Sequence, residues 1–431
     1  MSSAFDKVIG YETIKTELLQ ICDMIRNRDV YEKIGAKMPS GVLIYGDPGL
    51  GKSLMSKCFI EECGLATYTL RKNKGTEEFV DEITEIFKTA KKNAPSILFL
   101  DDMDKFANED AAHCDADEYV AVQAGMDDVK GKDVFVIATV NSIHKLPRSL
   151  RRAGRFDRKI EVCVPSKKDV SDIIKHFMKD KKISPDVNLE DVEMMINYSS
   201  CAELETVMNE AAISSAFSRE ETISMKNIVG AVLRMEYNAP DAFCATSKEN
   251  ATRIAYHEAG HLVVCEVLNP GSVGLASLRS SGRDSLGGFI RRCKPLERRL
   301  DDALVSLGGV CAVDVKFGTH DKGGTQDVRR AYSVIRDIIS DEGSRGFALV
   351  DVSTHRFPDI SENINSRNEA VVQAELERFR MLSKEILIKN SEFLNKAAQE
   401  LLNKETLLYS DIRKIRESVV LVSPFVNYSN I

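Results

Sequence analysis

The sequence predicts an α/β module with a parallel sheet covered by helices on both faces, followed by a small helical lid and a mainly helical C-terminal domain. Three observations carry that expectation. Apolar runs at 41–45 (GVLIY), 96–100 (SILFL) and 134–138 (VFVIA) have strand length and alternate with helix-like stretches, the pattern of buried parallel strands. The first run leads directly into a glycine loop and then a helical segment from Ser53. From 167 to 237 the pattern turns wholly helical.

Taken in order, residues 1–166 form the large α/β part and 167–237 the lid. Residues 238–250 (NAPDAFCATSKEN) are polar, contain a proline and lack periodicity, so they read as a linker. Residues 251–431 are mostly helical, with a strand region around 272–290. Apolar residues at 43% and charged residues at 29% are a normal globular mix. The net charge of −7 offers no general basic surface, which counts against nucleic acid as a partner. Ten cysteines without a CxxC pair fit reduced thiols in a cytosol. No run approaches the roughly 18 apolar residues that cross a bilayer. The N-terminal MSSAFDKVIG lacks the layout of a signal peptide, and with Met1 in place the expectation is a soluble, cytoplasmic chain.

Chemistry enters first at 46–53. Gly46, Asp47, Pro48, Gly49, Leu50, Gly51, Lys52 and Ser53 fill the eight-position phosphate-loop pattern between a strand and a helix. Glycines let backbone N–H groups converge on phosphates, Lys52 can reach the β- and γ-phosphates of ATP, and the Ser53 hydroxyl can ligate Mg²⁺. A glycine-rich turn with a chance lysine is the bland alternative, and the flanking strand and helix oppose it. Asp101 and Asp102 close the apolar run LFLDD; Asp101 would hold Mg²⁺ and Asp102 would polarise the attacking water.

These segments, with Asn141 and the stretch SLRRAGRFDR, resemble the AAA family of ring ATPases. The resemblance implies that Asn141 senses the γ-phosphate and that Arg152 and Arg155 reach the nucleotide of a neighbouring subunit. It therefore implies a homo-oligomer, expected to be a hexamer. Ile9 and Gly10 match the adenine-side loop, and Ala202 lies where the lid meets the nucleotide. Outside that pattern the arginines would read as a solvated basic loop.

A second site follows in Tyr256-His-Glu-Ala-Gly-His261. H-E-x-x-H on a helix puts His257 and His261 on one face, able to share a Zn²⁺, with Glu258 beside the open position as general base. Val263, Val264, Val267 and Leu268 continue an apolar face, so the helix should be buried. A catalytic zinc needs a third protein ligand, and Asp301, Asp302, Asp314, Asp321 and Asp327 all remain open on residue grounds. HEAGH in a helical domain behind an AAA module resembles the FtsH family of AAA zinc proteases. Gly308-Gly309, Phe317-Gly318, Gly323-Gly-Thr-Gln-Asp327, Ser391-Glu-Phe-Leu394 and 401–407 extend the likeness over nearly the whole chain. The resemblance implies Asp327 as third ligand, and an ATP-dependent zinc metallopeptidase acting on protein substrates.

Three departures from that family stand out. Its N-terminal membrane helices have no counterpart in these residues, which is expected either of a soluble relative or of a chain whose upstream sequence has been removed. Its hydrolytic glutamate is replaced by Asp102, one methylene shorter, which suggests slow ATP turnover. Its aromatic pore loop maps to the shortened, basic 70–76 (LRKNKGT), which suggests weak gripping and a taste for acidic substrates. Phe79 reads as core, heading the amphipathic series Phe79, Ile83, Ile86, Phe87. Two rival readings follow: an ATP-gated peptidase with weak translocation, and a non-proteolytic remodeller that keeps the peptidase domain as scaffold.

Overall fold

Strand alternation builds the first half. In the computed structural model, which describes residues 3–423 except 109–115, 153, 197–198, 241, 244, 280–286, 320–322 and 341–361, α1 (Glu12–Arg26) and α2 (Arg28–Lys33) precede β1 (Gly41–Tyr45). There follow α3 (Lys52–Cys63), β2 (Ala66–Leu70), α4 (Thr76–Lys92), β3 (Ser96–Leu100), α5 (Ala116–Val129), β4 (Val134–Val140), β5 (Arg158–Glu161) and α6 (Lys167–Met178). The strands pair in the order β2-β3-β4-β1-β5, every pair parallel.

Successive side chains point to opposite faces, and both faces are buried. Leu43, Leu98, Leu100, Val136 and Ala138 join Phe79, Ile83 and Phe87 of α4 and Val122 of α5. Val42, Ile44, Ile97, Phe99 and Ile137 meet Leu18 and Ile21 of α1 and Met55 and Phe59 of α3. The strand order reverses at β1, so Tyr45, Leu100 and Val140 all end at the crevice where such sheets bind ligands. Two strands, β2 and β5, are absent from the sequence expectation. Both lie at sheet edges: β2 carries Thr67 and Thr69, and in β5 Ile160 alone is buried. Neither has the continuous apolar run that betrays an inner strand.

The second half is mainly helical, and from Ile254 onward its helices share one core that runs to Ile412. Its elements are α7 (Leu189–Met195), α8 (Cys201–Phe217), α9 (Met225–Tyr237), α10 (Lys248–Leu268), β6 (Val273–Ser277), β7 (Phe289–Arg292) and α11 (Arg299–Phe317). They continue with α12 (Thr325–Ser340), α13 (Glu362–Lys389), α14 (Ser391–Lys404), β8 (Thr406–Leu408) and α15 (Tyr409–Glu417). The chain folds into two compact units, one of 1–180 with 198–206 and a second of 181–197 with 207–431.

Helix α10 is the axis of the second unit, unbrokenly buried from Ile254 to Val267. It crosses α11 at bare backbone: a Cβ on Gly260 would come 2.3 Å from the Gly308 carbonyl oxygen, and one on Gly308 2.7 Å from that of Gly260. At its C-terminal end the buried Glu266 carboxylate accepts the N–H groups of Gly271, Ser272 and Val273 at 2.8–2.9 Å and pairs with Arg416 of α15. Strands β7-β6-β8 form an antiparallel sheet, and Asp191 of α7 caps α15 through the Ser410 N–H and hydroxyl at 2.7 Å each. Among the described residues no helix is long and apolar enough to cross a membrane.

Candidate functional site

The nucleotide crevice is assembled by strand ends. Gly46, Gly49 and Gly51 take positive φ (147°, 80° and 87°), a path side-chain-bearing residues rarely follow, and α3 starts at Lys52. The Lys52 ammonium donates to the Gly46 and Asp47 carbonyls at 2.7 Å each. Burial pushes its pKa down, against the pull of Asp102, Asp104, Asp47 and Asp101. Ser53 Oγ donates to Asp101 Oδ1 at 3.0 Å, and Thr139 Oγ1 donates to the same oxygen at 2.8 Å while accepting the Asp102 N–H at 2.9 Å. The hydroxyl and carboxylate suited to Mg²⁺ are thus side by side.

A cavity of about 600 Å³ opens beside this loop. Ile9, Pro48 to Ser53, Asp102, Asn141 and Ala202 line it, so the expected adenine-side, phosphate and sensor positions share one space. Gly10 sits behind that wall at φ 73°, against the Asp169 carboxylate. The Ala202 N–H donates to the Gly49 carbonyl at 3.1 Å, tying the loop to the start of α8. Arg152 is exposed, and Arg155 grips Asp127 through two bonds of 3.0 and 2.8 Å; neither lines the cavity among its described residues. Sequence reasoning missed Thr139, Tyr11, His176 and Phe177. Thr139 alone left a trace, as the one polar residue in the apolar strand VFVIATV.

Asp102 already has cationic partners on one of its oxygens. It turns out of the sheet at φ 54°, and its carboxylate accepts from Lys105 at 2.7 Å and Arg71 at 3.3 Å. Burial alone would raise its pKa, but the bonds and charges of Lys105 and then Arg71 outweigh that and hold it below the usual carboxylate value. The rest of the 70–76 loop is similarly engaged, with Lys72 on the fully buried Glu118 and Lys74 on Glu82, each at 3.1 Å.

The second unit holds a tighter cluster. His257 Nε2 lies 3.1 Å from His261 Nε2 and 3.1 Å from Asp327 Oδ2, and the remaining edge, His261 Nε2 to Asp327 Oδ2, is 3.6 Å. A tetrahedral Zn²⁺ bonded at about 2.0–2.1 Å spans edges of roughly 3.3 Å, so this donor set fits the metal and leaves one position open. Asp301, Asp302 and Asp314 lie outside the cluster, and Asp321 lies outside the described residues. His261 Nδ1 sits 2.7 Å from the Val305 carbonyl, which takes that proton and leaves Nε2 to the metal.

Gly309 explains how the rings fit: a Cβ there would stand 2.5 Å from His261 Nε2 and 2.6 Å from His257 Nε2. Burial raises the Asp327 pKa in principle, yet the two imidazoles hold it well below the carboxylate range. Glu258 is buried beside the pair, and its Oε1 accepts the Gly288 N–H at 2.8 Å. Burial pushes its carboxyl upward, against the pull of His257 and His261. Gly288 and Val305 were not foreseen, because backbone donors and acceptors leave no residue-type signal.

A phosphate-loop ATPase module followed in the same chain by an H-E-x-x-H metallopeptidase is the class that fold and sites define. Residues 42–164 match the ATPase family associated with various cellular activities (AAA), and residues 244–415 match peptidase family M41. The chain is 31% identical over 441 residues to the ATP-dependent zinc metalloprotease FtsH 2 of Symbiobacterium thermophilum, covering 95% of this chain and 74% of that protein. It is 29% identical over 436 residues to the ATP-dependent zinc metalloprotease FtsH of Leptotrichia buccalis, covering 95% of this chain and 56% of the relative. The chain belongs to the FtsH family of ATP-dependent zinc metalloproteases.

Proposed function

We propose that this chain hydrolyses ATP in the cavity beside 46–53 and uses it to deliver protein substrates to the His257–His261–Asp327 cluster, working as a ring of six copies in the cytoplasm. The observation that carries the reading is the presence, in one chain, of a phosphate loop bonded to Asp101 through Ser53 and a three-residue donor set of zinc dimensions. The domain scheme behind it keeps 1–166 and 167–237 as ATPase and lid, 238–250 as linker and 251–431 as peptidase.

At the first site Lys52 holds the terminal phosphates, Ser53 and Asp101 hold Mg²⁺, Asn141 reads the γ-phosphate and Asp102 orients the attacking water. Ile9, Gly10 and Ala202 seat the base. Arg152 and Arg155 serve the neighbour's nucleotide, which requires Arg155 to exchange Asp127 for phosphate when copies assemble. At the second site His257, His261 and Asp327 hold Zn²⁺, which supplies Lewis acidity and an acidified water. Glu258 accepts the proton of the attacking water and returns it to the departing amine, with the Gly288 N–H fixing one of its oxygens.

Ion pairing of the 70–76 loop supports the second reading, an ATP-gated peptidase with weak translocation. It also weakens the expected preference for acidic substrates, since Arg71, Lys72 and Lys74 already face carboxylates. Cleavage of a fluorescently labelled, loosely folded protein with and without ATP, beside Glu258→Gln, separates the readings. Cleavage that needs ATP and vanishes in the variant supports coupled proteolysis. Equal cleavage without ATP supports the gated peptidase.

A further inference from the structure

We infer that the end of α9 positions the peptidase's proton-transfer group: Tyr237 stacked on Phe289, with Glu236 paired to Arg291, fixes β7 and through Gly288 holds Glu258 beside His257 and His261. The inference rests on the reading of Glu258 given above and adds a segment that the sequence assigns to the nucleotide module's lid.

The need for a brace follows from the sheet. β7 is an edge strand, bonded on one side to β6 with a register shift between Val273 and Leu275, and all four of its residues are only half-buried. Edge pairing of four residues leaves its outer face unsecured. The last turn of α9 supplies the missing contact. The Tyr237 and Phe289 rings lie nearly parallel, 17° apart in plane with centroids 3.8 Å apart. At the preceding position of the helix, Glu236 meets Arg291 of the same strand. Phe289 and Arg291 are two residues apart on a strand, so they share a face, and α9 grips that face at consecutive positions.

The grip ends where Tyr237 stands. Asn238 takes the left-handed conformation at φ 46°, and the Ala239 N–H returns to the Leu233 carbonyl at 3.0 Å, closing the helix directly after the ring. On the other side of Phe289, Gly288 has no slack. A Cβ there would lie 2.0 Å from the Ser277 carbonyl oxygen and 2.8 Å from Glu258 Cγ. Its N–H supplies the 2.8 Å bond to Glu258 Oε1. Movement of Phe289 therefore passes into the carboxylate with nothing in between to absorb it.

Tyr237 is a positioning residue on this account, and a split between kcat and KM tests it. The full chain, loaded with zinc, is assayed without ATP on a short unstructured peptide. Tyr237→Ala is expected to lower kcat roughly ten- to a hundredfold, the scale of an ångström's misplacement, with KM and zinc content unchanged. Tyr237→Phe keeps the stack and is expected to match the parent. Glu236→Gln, a milder change that leaves folding intact, is expected to lower kcat by about threefold through loss of an ion pair at the strand. Unchanged kcat in Tyr237→Ala and Glu236→Gln, with Glu258→Gln inactive, overturns the brace and leaves the peptidase reading standing. A change confined to KM also overturns it, since that assigns the contact to substrate docking. An active Glu258→Gln removes the foundation of both.

Discussion

The zinc cluster and the nucleotide crevice both present acidic groups at the edge of well-packed elements, yet their charges are kept in opposite ways. At the zinc cluster every group already faces the centre: two imidazoles and Asp327 converge within 4.8 Å, the outer nitrogen of His261 is held by the Val305 carbonyl, and Gly309 walls the two ligand nitrogens closely. In the crevice the groups with the most demanding expected roles are instead already paired with opposite charges of this chain. Asp102 is paired with Lys105 and Arg71, and Arg155 is paired with Asp127. A metal site can be finished within one chain because its ligands need only each other and the ion. On the proposed ring reading the crevice parks these charges until a neighbour arrives, and because Arg71, Lys105 and Asp127 are exposed, each parking pair can be exchanged at modest cost.

The sharpest way to break this contrast is Glu258→Gln, which should keep zinc and lower cleavage roughly a hundred- to ten-thousandfold. Zinc analysis beside a peptide assay reads it, and surviving cleavage would remove Glu258 from the centre. Next comes Gly309→Ala, expected to weaken zinc binding by about ten- to a hundredfold because its methyl meets both ligand nitrogens. A competition titration with a chromogenic chelator checks it; parental affinity would show that the rings have room to retreat. On the crevice side, Asp102→Glu restores the missing methylene and should accelerate ATP turnover by about tenfold. An equal or slower rate would mean that length is not what limits this carboxylate. The smallest effect sharpens rather than breaks: Arg71→Gln releases one parking pair worth at most about 1 kcal/mol, so ATP turnover should rise by no more than about fivefold. A fall in turnover would make Arg71 a helper of Asp102 instead of a restraint.

Much of this contrast is legible in the sequence alone. The phosphate loop and H-E-x-x-H are local: consecutive residues carry both the chemistry and the backbone path, so 46–53 and 257–261 announce themselves. Inner strands are equally plain because burial on both faces leaves them almost wholly apolar, with Ser96 and Thr139 the polar exceptions in β3 and β4. Asp327 comes only through family likeness, since nothing in composition separates it from Asp301, Asp302 or Asp314. The ion pairs of Arg71, Lys105 and Arg155 are not legible at all. They join residues whose side chains are ordinary surface types, and only the β2–β3 register, with the Asp101 N–H bonded to the Leu70 carbonyl at 2.9 Å, brings Arg71 beside Asp102. The edge strands β2 and β5 escape for a related reason: only one residue of each, Leu70 and Ile160, is buried, so neither shows an apolar run.

The bare crossing of α10 and α11 has a consequence for how such a chain can vary. Each residue of a helix turns it by about 100°. Deleting one residue anywhere between Arg299 and Leu307, with the start of α11 held, would slide Val310 into the place of Gly309 and drive an isopropyl group against the ligand nitrogens. The helix would remain as apolar and as long as most helices need to be, and its propensity would hardly change. Away from Gly308 and Gly309, α11 can therefore exchange one apolar residue for another, whereas a change of length before Gly309 strikes the metal cluster directly.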